Sequence, residues 1–282
     1  MIVDAHQHFW DLETGEYPWL TPDSGVLYRT YGPEDLVPEL RTVGVDRTVL
    51  VQAADSYAET DALLAHADAH PFIAGVVGWI DLTDPAEAAA ALDRYRTRPK
   101  FVGVRHLIHD EPDPDWLVRE GVLESLGLLA AAGLPFDVVS LLPRHLDHVV
   151  TVAERHPGLK LVVDHLSKPR IKDHAWEPWA TQIAAAAACP NVFAKVSGLV
   201  TEADHERWTV EDLRPYVEYA VERFGPERLM FGSDWPVALL AADYATVWHV
   251  THALLGGPGA EQVFGGTAVR FYGLDQEIHP PS

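Results

Sequence analysis

Two histidines two residues apart, His6 and His8, end a short apolar run in Ile2-Val3-Asp4-Ala5-His6-Gln7-His8-Phe9-Trp10. Alternate side chains of a strand share a face, so the spacing predicts that Asp4, His6 and His8 project together. Two imidazoles at a strand end can ligate a metal or polarise a carbonyl. A hairpin end with two solvated histidines has the same spelling. Four more short apolar runs lead into groups of the same kind. Phe-Val-Gly-Val runs into Arg105 and His106, and Leu-Val-Val into Asp164, His165 and then Lys168. The next run carries Lys195 and Ser197. Leu-Met-Phe-Gly-Ser runs into Asp234, Trp235 and Pro236. Each has a dull reading: Asp234 as a helix cap, His165 as a core histidine, Lys195 as a strand flank, Arg105 as a loop anchor. Five polar strand ends together point to one site of acid–base chemistry.

Such residues need elements that bring them to one place. Eight β-branched or apolar runs read as strands: Ile2–Phe9, Thr48–Ala53, Ile73–Ile80, Phe101–Leu107, Phe136–Val139, Leu161–Leu166, Val192–Gly198 and Leu229–Trp235. Helical patterns separate them: Pro33–Val43, Glu59–Ala69, Pro85–Arg96, Trp116–Ala132, Arg144–His156, Trp176–Ala188, Glu211–Phe224 and Ala241–Leu255. Eightfold strand–helix alternation in 282 residues predicts one α/β domain over 1–282, a (β/α)8 TIM-like barrel. An open doubly wound sheet is the competing arrangement. The first strand, however, is followed by Trp10-Asp11-Leu12-Glu13 and not by a glycine-rich turn. In a barrel, chemistry sits at the C-terminal ends of the strands, where these polar groups fall. The long loop from Glu13 to Gly32 reads as a cover over that end. Trp10, Trp79 and Trp235 lie near strand ends, as rim packing or as a flat face for a ring. His66, His70, His145, His148, His156 and His249 fall on helices or their ends and read as solvated or capping. The tail after Leu274 is polar and Pro-rich and reads as a frayed end.

Composition narrows the partners. The net charge of −21 repels nucleic acid and anionic membranes. No apolar run approaches a membrane span, and no signal-peptide pattern opens the chain. Both point to a soluble, cytoplasmic protein. The single cysteine, Cys189, leaves no internal disulfide and no cysteine metal knuckle. The apolar segment Thr246–Leu255 offers a face for a homo-oligomer contact.

The segments VDAHQHFWD, FVGVRHLIHDEPDPDWL, LVVDHLSKP, VFAKVSGLVTEADHERWT, RLMFGSDWPV and VFGGTAVRFYGL resemble the amidohydrolase superfamily along nearly the whole chain. The resemblance is narrower to its amidohydrolase-related group, which holds fuconolactonase- and rhamnonolactonase-like sugar lactonases and 2-pyrone-4,6-dicarboxylate lactonase. It implies a distorted barrel of the amidohydrolase type, a hydrolase of carboxylic ester bonds in carbohydrate metabolism, and a small-molecule lactone as substrate. The superfamily motif carries onto His6, His8, His165 and Asp234. The chain departs from the two-metal pattern: Arg105-His106 ends the fourth strand, and the fifth has no histidine. A two-metal site is therefore not expected, and the resemblance to lactonases that work without a divalent ion implies no required cofactor. A single zinc on His6, His8, His165 and Asp234 is the alternative. Arg105, Lys168 and Lys195 are expected to supply positive charge in place of the metal. Asp234 is expected to act as general base, with His6, His8 and His165 around the oxyanion. Arg105, His106, Lys168, Lys195, Trp10, Trp79 and Trp235 are expected to bind substrate. The alternative activities are a zinc-dependent decarboxylase or an amide or ester hydrolase of the same superfamily. A barrel that binds a ligand without turnover is a third.

Overall fold

The computed structural model describes residues 1–274. The strands are β1 (Val3–Gln7), β2 (Arg47–Val51), β3 (Ile73–Gly78), β4 (Phe101–His106), β5 (Phe136–Val138), β6 (Leu161–Val163), β7 (Val192–Val196) and β8 (Leu229–Phe231). Each pairs in parallel with the next, and Gln7 bridges to Trp235 just past β8, bringing the sheet nearly full circle. The helices are α1 (Pro33–Val43), α2 (Tyr57–Ala69), α3 (Pro85–Tyr95), α4 (Glu120–Ala132), α5 (Pro143–Arg155), α6 (Trp179–Ala188), α7 (Val210–Phe224), α8 (Tyr244–Leu255) and α9 (Thr267–Tyr272). They surround the strands, giving the (β/α)8 barrel expected from the alternation. The tail after Leu274 lies outside the described residues.

Local chemistry sets the helix ends. Ser56, Asp84 and Asp243 accept backbone N–H groups at the starts of α2, α3 and α8. Gly44 and Gly133 end α1 and α4 in the left-handed conformation. Three expected helices begin late. Arg119 is extended, so a short turn at Trp116–Val118 is split from α4. Pro178 disfavours helix at Glu177, so α6 starts at Trp179 rather than Trp176. Asp243 caps α8, which moves its start from Ala241 to Tyr244.

Inside the barrel, Val3, Ala5, Val49, Val51, Val162 and Met230 pack on Phe271, Tyr272 and Leu274, so α9 plugs the end opposite the polar residues. The outer strand faces meet the helices. Thr246–Leu255 is part of this packing: Val247, Trp248 and Leu255 are buried, with Trp248 edge-on to Phe231 and Phe264. Those large residues pack inward, while Val250 and Leu254 of the same helix are only partly buried.

One irregularity decides what β1 presents. Asp4 aligns with Thr48 but Gln7 with Leu50, three residues against two. The extra residue reverses the alternation. Val3 and Ala5 face inward, and so, past the bulge, do His6 and His8. Asp4 does not join the histidines as expected. It accepts from Tyr244 Oη of α8 at 2.9 Å and from Ser233 N at 2.8 Å. Burial pushes its carboxyl up to about 6.

Candidate active site

His6, His8, His165 and Asp234 converge at the C-terminal ends of β1, β6 and β8. His6 Nε2 lies 3.1 Å from His8 Nε2. Asp234 Oδ1 lies 3.4 Å from His8 Nε2, 3.7 Å from His6 Nε2 and 3.9 Å from His165 Nε2. All four are buried. A cavity of about 180 Å³ opens above them, lined also by Trp19, Arg105, Lys168 and His109. That is smaller than the roughly 300–1,000 Å³ of drug-sized ligand sites and suits one small ring.

Backbone geometry aims these groups. After β6, His165, Leu166, Ser167 and Lys168 all adopt positive φ (54°, 49°, 61° and 49°). Each such residue costs about 1–2 kcal/mol, and no glycine in the sequence announces the turn. It is held by Trp179 Nε1, which donates to Leu166 O at 2.7 Å, and by the Ser140–Ser167 hydroxyl pair at 2.6 Å. Asp234 also has positive φ (57°), fixed by its N–H donating to His6 O at 2.8 Å. Gly198 fills the space beside both. A Cβ there would lie 2.7 Å from His165 Nδ1 and 2.8 Å from Asp234 Oδ2, on a backbone with φ of 59°.

The imidazole partners assign the tautomers. His8 Nδ1 donates to Val51 O at 2.8 Å, so its Nε2 carries a lone pair toward Asp234. The ammonium of Lys195 donates to His6 Nδ1 at 3.0 Å, which leaves Nε2–H pointing at His8. Ser197 Oγ lies 2.8 Å from His165 Nδ1 and, as donor, frees His165 Nε2–H for the cavity. Burial lowers all three imidazoles, His6 well below the ordinary range and His165 to about 4, so they are neutral at pH 7. Burial alone would raise Asp234, but His165, His8 and His6 outweigh it and hold the carboxylate ionised.

A buried ionic layer lies beneath. Lys195 is fully buried, 2.6 Å from Asp137 Oδ2 and 3.0 Å from Asp164 Oδ1. Arg105 Nη1 lies 3.1 Å from Asp164 Oδ2 and 3.4 Å from His6 Nε2, and its other nitrogen donates to Gln52 O. Tyr272 donates to Asp137 Oδ2 at 2.7 Å, tying the layer to α9. Burial pushes Asp137 up to about 6. For Asp164, burial is outweighed by Lys195, His6 and Arg105, and its carboxyl sits well below the usual range. Asp164 and Asp137 thus neutralise much of the positive charge expected from Lys195 and Arg105.

The expected binding residues divide. Arg105 and Lys168 line the cavity, Lys168 while paired with Glu202 at 3.2 Å. Lys195 sits under the histidines with no exposure. His106 does not line the cavity. It faces outward, stacked on Trp116 at 3.8 Å, bonded to Trp79 Nε1 at 2.9 Å and to Glu111 at 2.8 Å. Trp79 is thereby placed outside as well. Trp10 donates to Arg29 O and, like Trp235, packs edge-on against Tyr31. The aromatic ring at the cavity is Trp19, from the 13–32 loop, its Nε1 bonded to Ala53 O at 2.8 Å. Sequence reasoning marked that loop but not the residue. Asp164 was visible beside His165, while Gly198 and the pairing of Asp137 with Lys195 had no local signal. His145, expected to be solvated or capping, is buried, and its Nδ1 accepts the Leu141 N–H at 3.4 Å beside the start of α5.

Metal ligation can be tested on the donors. Zinc–ligand bonds of about 2.0–2.1 Å put tetrahedral donors about 3.3 Å apart. His6 Nε2, His8 Nε2 and Asp234 Oδ1 are 3.1, 3.4 and 3.7 Å apart. The donor spacing therefore fits one zinc, provided His6 takes the other tautomer, with its Nδ1–H turned to Asp164 Oδ1 at 3.3 Å and its Nε2 lone pair free. The Arg105 guanidinium, 3.4 Å from one donor, opposes a dication there.

The amidohydrolase family model matches residues 3–274. Two curated relatives are L-fucono-1,5-lactonases. That of Burkholderia ambifaria is 39% identical, the match spanning 97% of this chain and 96% of the relative. That of Burkholderia multivorans is 37% identical over the same shares. A crystal structure of an amidohydrolase from Burkholderia multivorans with bound zinc superposes with a TM-score of 0.92 at 35% identity, covering 98% of this chain and 100% of that one.

Proposed function

Because the chain belongs to the amidohydrolase family, we propose that it is a hydrolase that opens a sugar-acid lactone of the fucono-1,5-lactone type. One observation carries this reading: Asp234 Oδ1 and His8 Nε2, two acceptors 3.4 Å apart, face one small cavity beside the donors Arg105 and His165. The likeness to lactonases over nearly the full chain supports it.

Lactone opening needs an attacking water, a polarised carbonyl and a proton for the departing ring oxygen. Asp234 Oδ1 holds the attacking water by one of its hydrogens. Asp234 takes one proton as the oxygen attacks the carbonyl carbon. His165 Nε2–H and Arg105 stabilise the oxyanion, with Lys168 adding charge. The expected symmetric role of three histidines is refined here. His8 has committed its proton to Val51 O and serves as acceptor, and His6 links it to Lys195. When the tetrahedral intermediate collapses, the ring C–O bond breaks and Asp234 returns its proton to the alkoxide. The products are one hydroxy acid and a regenerated carboxylate. Trp19 offers the apolar face for the ring. A bound zinc would be held by His6, His8 and Asp234, with His165 at the side, and would acidify the water and polarise the carbonyl. The steps above need only the chain's own groups, so the reading assigns zinc no obligatory part.

The test is turnover of L-fucono-1,5-lactone, followed by acid release. Asp234→Asn should lower kcat by about 10²–10³ or more, the scale seen for one stabilising group, with the fold intact by circular dichroism. Near-native turnover in that variant would refute the assignment.

A further inference from the structure

Trp19, Leu107 and Asp110 line both the catalytic cavity and a much larger cleft, of about 1080 Å³, on their other side. Its roof is the 13–32 loop and its floor is α2. The catalytic cavity holds little more than one ring, so the adjoining cleft has no part in the reaction as derived. We infer that this cleft is a glycosyl subsite, and that the enzyme accepts lactones carrying a further neutral sugar on the ring edge opposite the carbonyl. The inference rests on the lactonase reading.

Direction comes first. The carbonyl must lie at the Asp234 and histidine end. The far edge of the ring then points along the wall shared with the cleft, toward Trp19, Leu107 and Asp110. In a 1,5-lactone the position across the ring from the carbonyl is C4, so a substituent on O4 leaves by that route. Chemistry comes second. Tyr17 and Trp19 are half-buried aromatic walls, and Glu16 and Asp110 are exposed carboxylates at the rim. Aromatic faces take the C–H side of a pyranose, and carboxylates accept from its hydroxyls. Among the described residues that line the cleft there is no lysine or arginine. A second anionic group is disfavoured there and a neutral polyhydroxy ring is not. The floor comes third. Ala58 and Ala62, one turn apart on α2, are exposed into the cleft and leave room where larger side chains would close it.

The experiment compares L-fucono-1,5-lactone with the same ring bearing a hexosyl group on O4, each generated in situ by oxidation of the parent sugar. The expected kcat/KM of the glycosylated lactone is within tenfold of the simple one. Ala62→Trp, with Ala58→Trp as a second variant, should lower the glycosylated rate at least tenfold and leave the simple lactone unchanged. The inference is overturned if the glycosylated lactone is more than tenfold slower in the native enzyme. It is equally overturned if neither substitution affects its rate. Failure of the native enzyme on both lactones overturns the lactonase reading, and this one with it.

Discussion

Replacing Lys195 by methionine is the most direct probe of the ionic layer under the site. The ammonium is fully buried and contacts Asp137 at 2.6 Å, Asp164 at 3.0 Å and His6 at 3.0 Å. Methionine fills a similar volume but strands the Asp137 carboxylate and takes one of two cations from Asp164. Asp164 keeps Arg105 at 3.1 Å, and among the described residues Asp137 keeps only the Tyr272 hydroxyl at 2.7 Å. Breaking a buried pair from one side costs about 3–5 kcal/mol. At roughly 2–4 °C per kcal/mol for a chain of this class, the melting temperature should fall by about 6–20 °C. A stranded carboxylate can relieve itself by taking up a proton, so the loss should shrink as pH falls from 8 to 5. Lys195→Met/Asp137→Leu removes both charges of the shortest pair and should recover much of the loss. Urea unfolding of both variants across that pH range measures each part. A single variant within 1 kcal/mol of the native protein, or a double variant no more stable than the single, would refute the account of the layer.

Gly198→Ala should lower turnover at least 10²-fold and melting by only a few degrees. Its Cβ would press on His165 and Asp234 from a positive-φ backbone. Steady-state rates beside a thermal melt check this, and a fully active alanine variant would contradict it. His165 is neutral in the folded state down to about pH 4, whereas an unfolded histidine protonates near 6.5. The unfolded chain therefore binds more protons in that window. The stability contributed is present above pH 6.5 and is lost toward pH 4, by about 1.4 kcal/mol per pH unit at most. His165→Asn keeps a residue tolerant of positive φ and should flatten the slope of unfolding free energy against pH, read by urea titration; an unchanged slope counts against burial as the cause. Removing divalent ions with a chelator should leave most lactone turnover, while added zinc raises the melting temperature through the donor cluster. Activity abolished by the chelator and restored by one equivalent of zinc would make the metal obligatory.

The periodic apolar runs made the barrel legible, because a parallel strand buried on both faces must be apolar along its length. Polar residues at its C-terminal end then stand out. That logic led to His6, His8, Arg105, His165, Lys168, Lys195 and Asp234, which do gather at one end of the barrel. Local pattern misled where position depended on a neighbour in space. Asp4 shares the spacing of the histidines, but a bulge visible only in the pairing with β2 turns it outward to Tyr244. His106 follows Arg105 directly and therefore faces the opposite way, onto Trp116. Trp10, Trp79 and Trp235 lie at strand ends, yet the ring at the cavity is Trp19, delivered by a long loop.

The sequence by itself determined which strands exist and that their polar ends form a site, since both follow from periods of two and 3.6 along one chain. Only the tertiary structure decided which face each residue shows, which proton each histidine keeps and how the buried charges pair. Lys195 meets Asp137 across 58 positions and His6 across 189. Such pairings are set by barrel closure, and no local spacing encodes them.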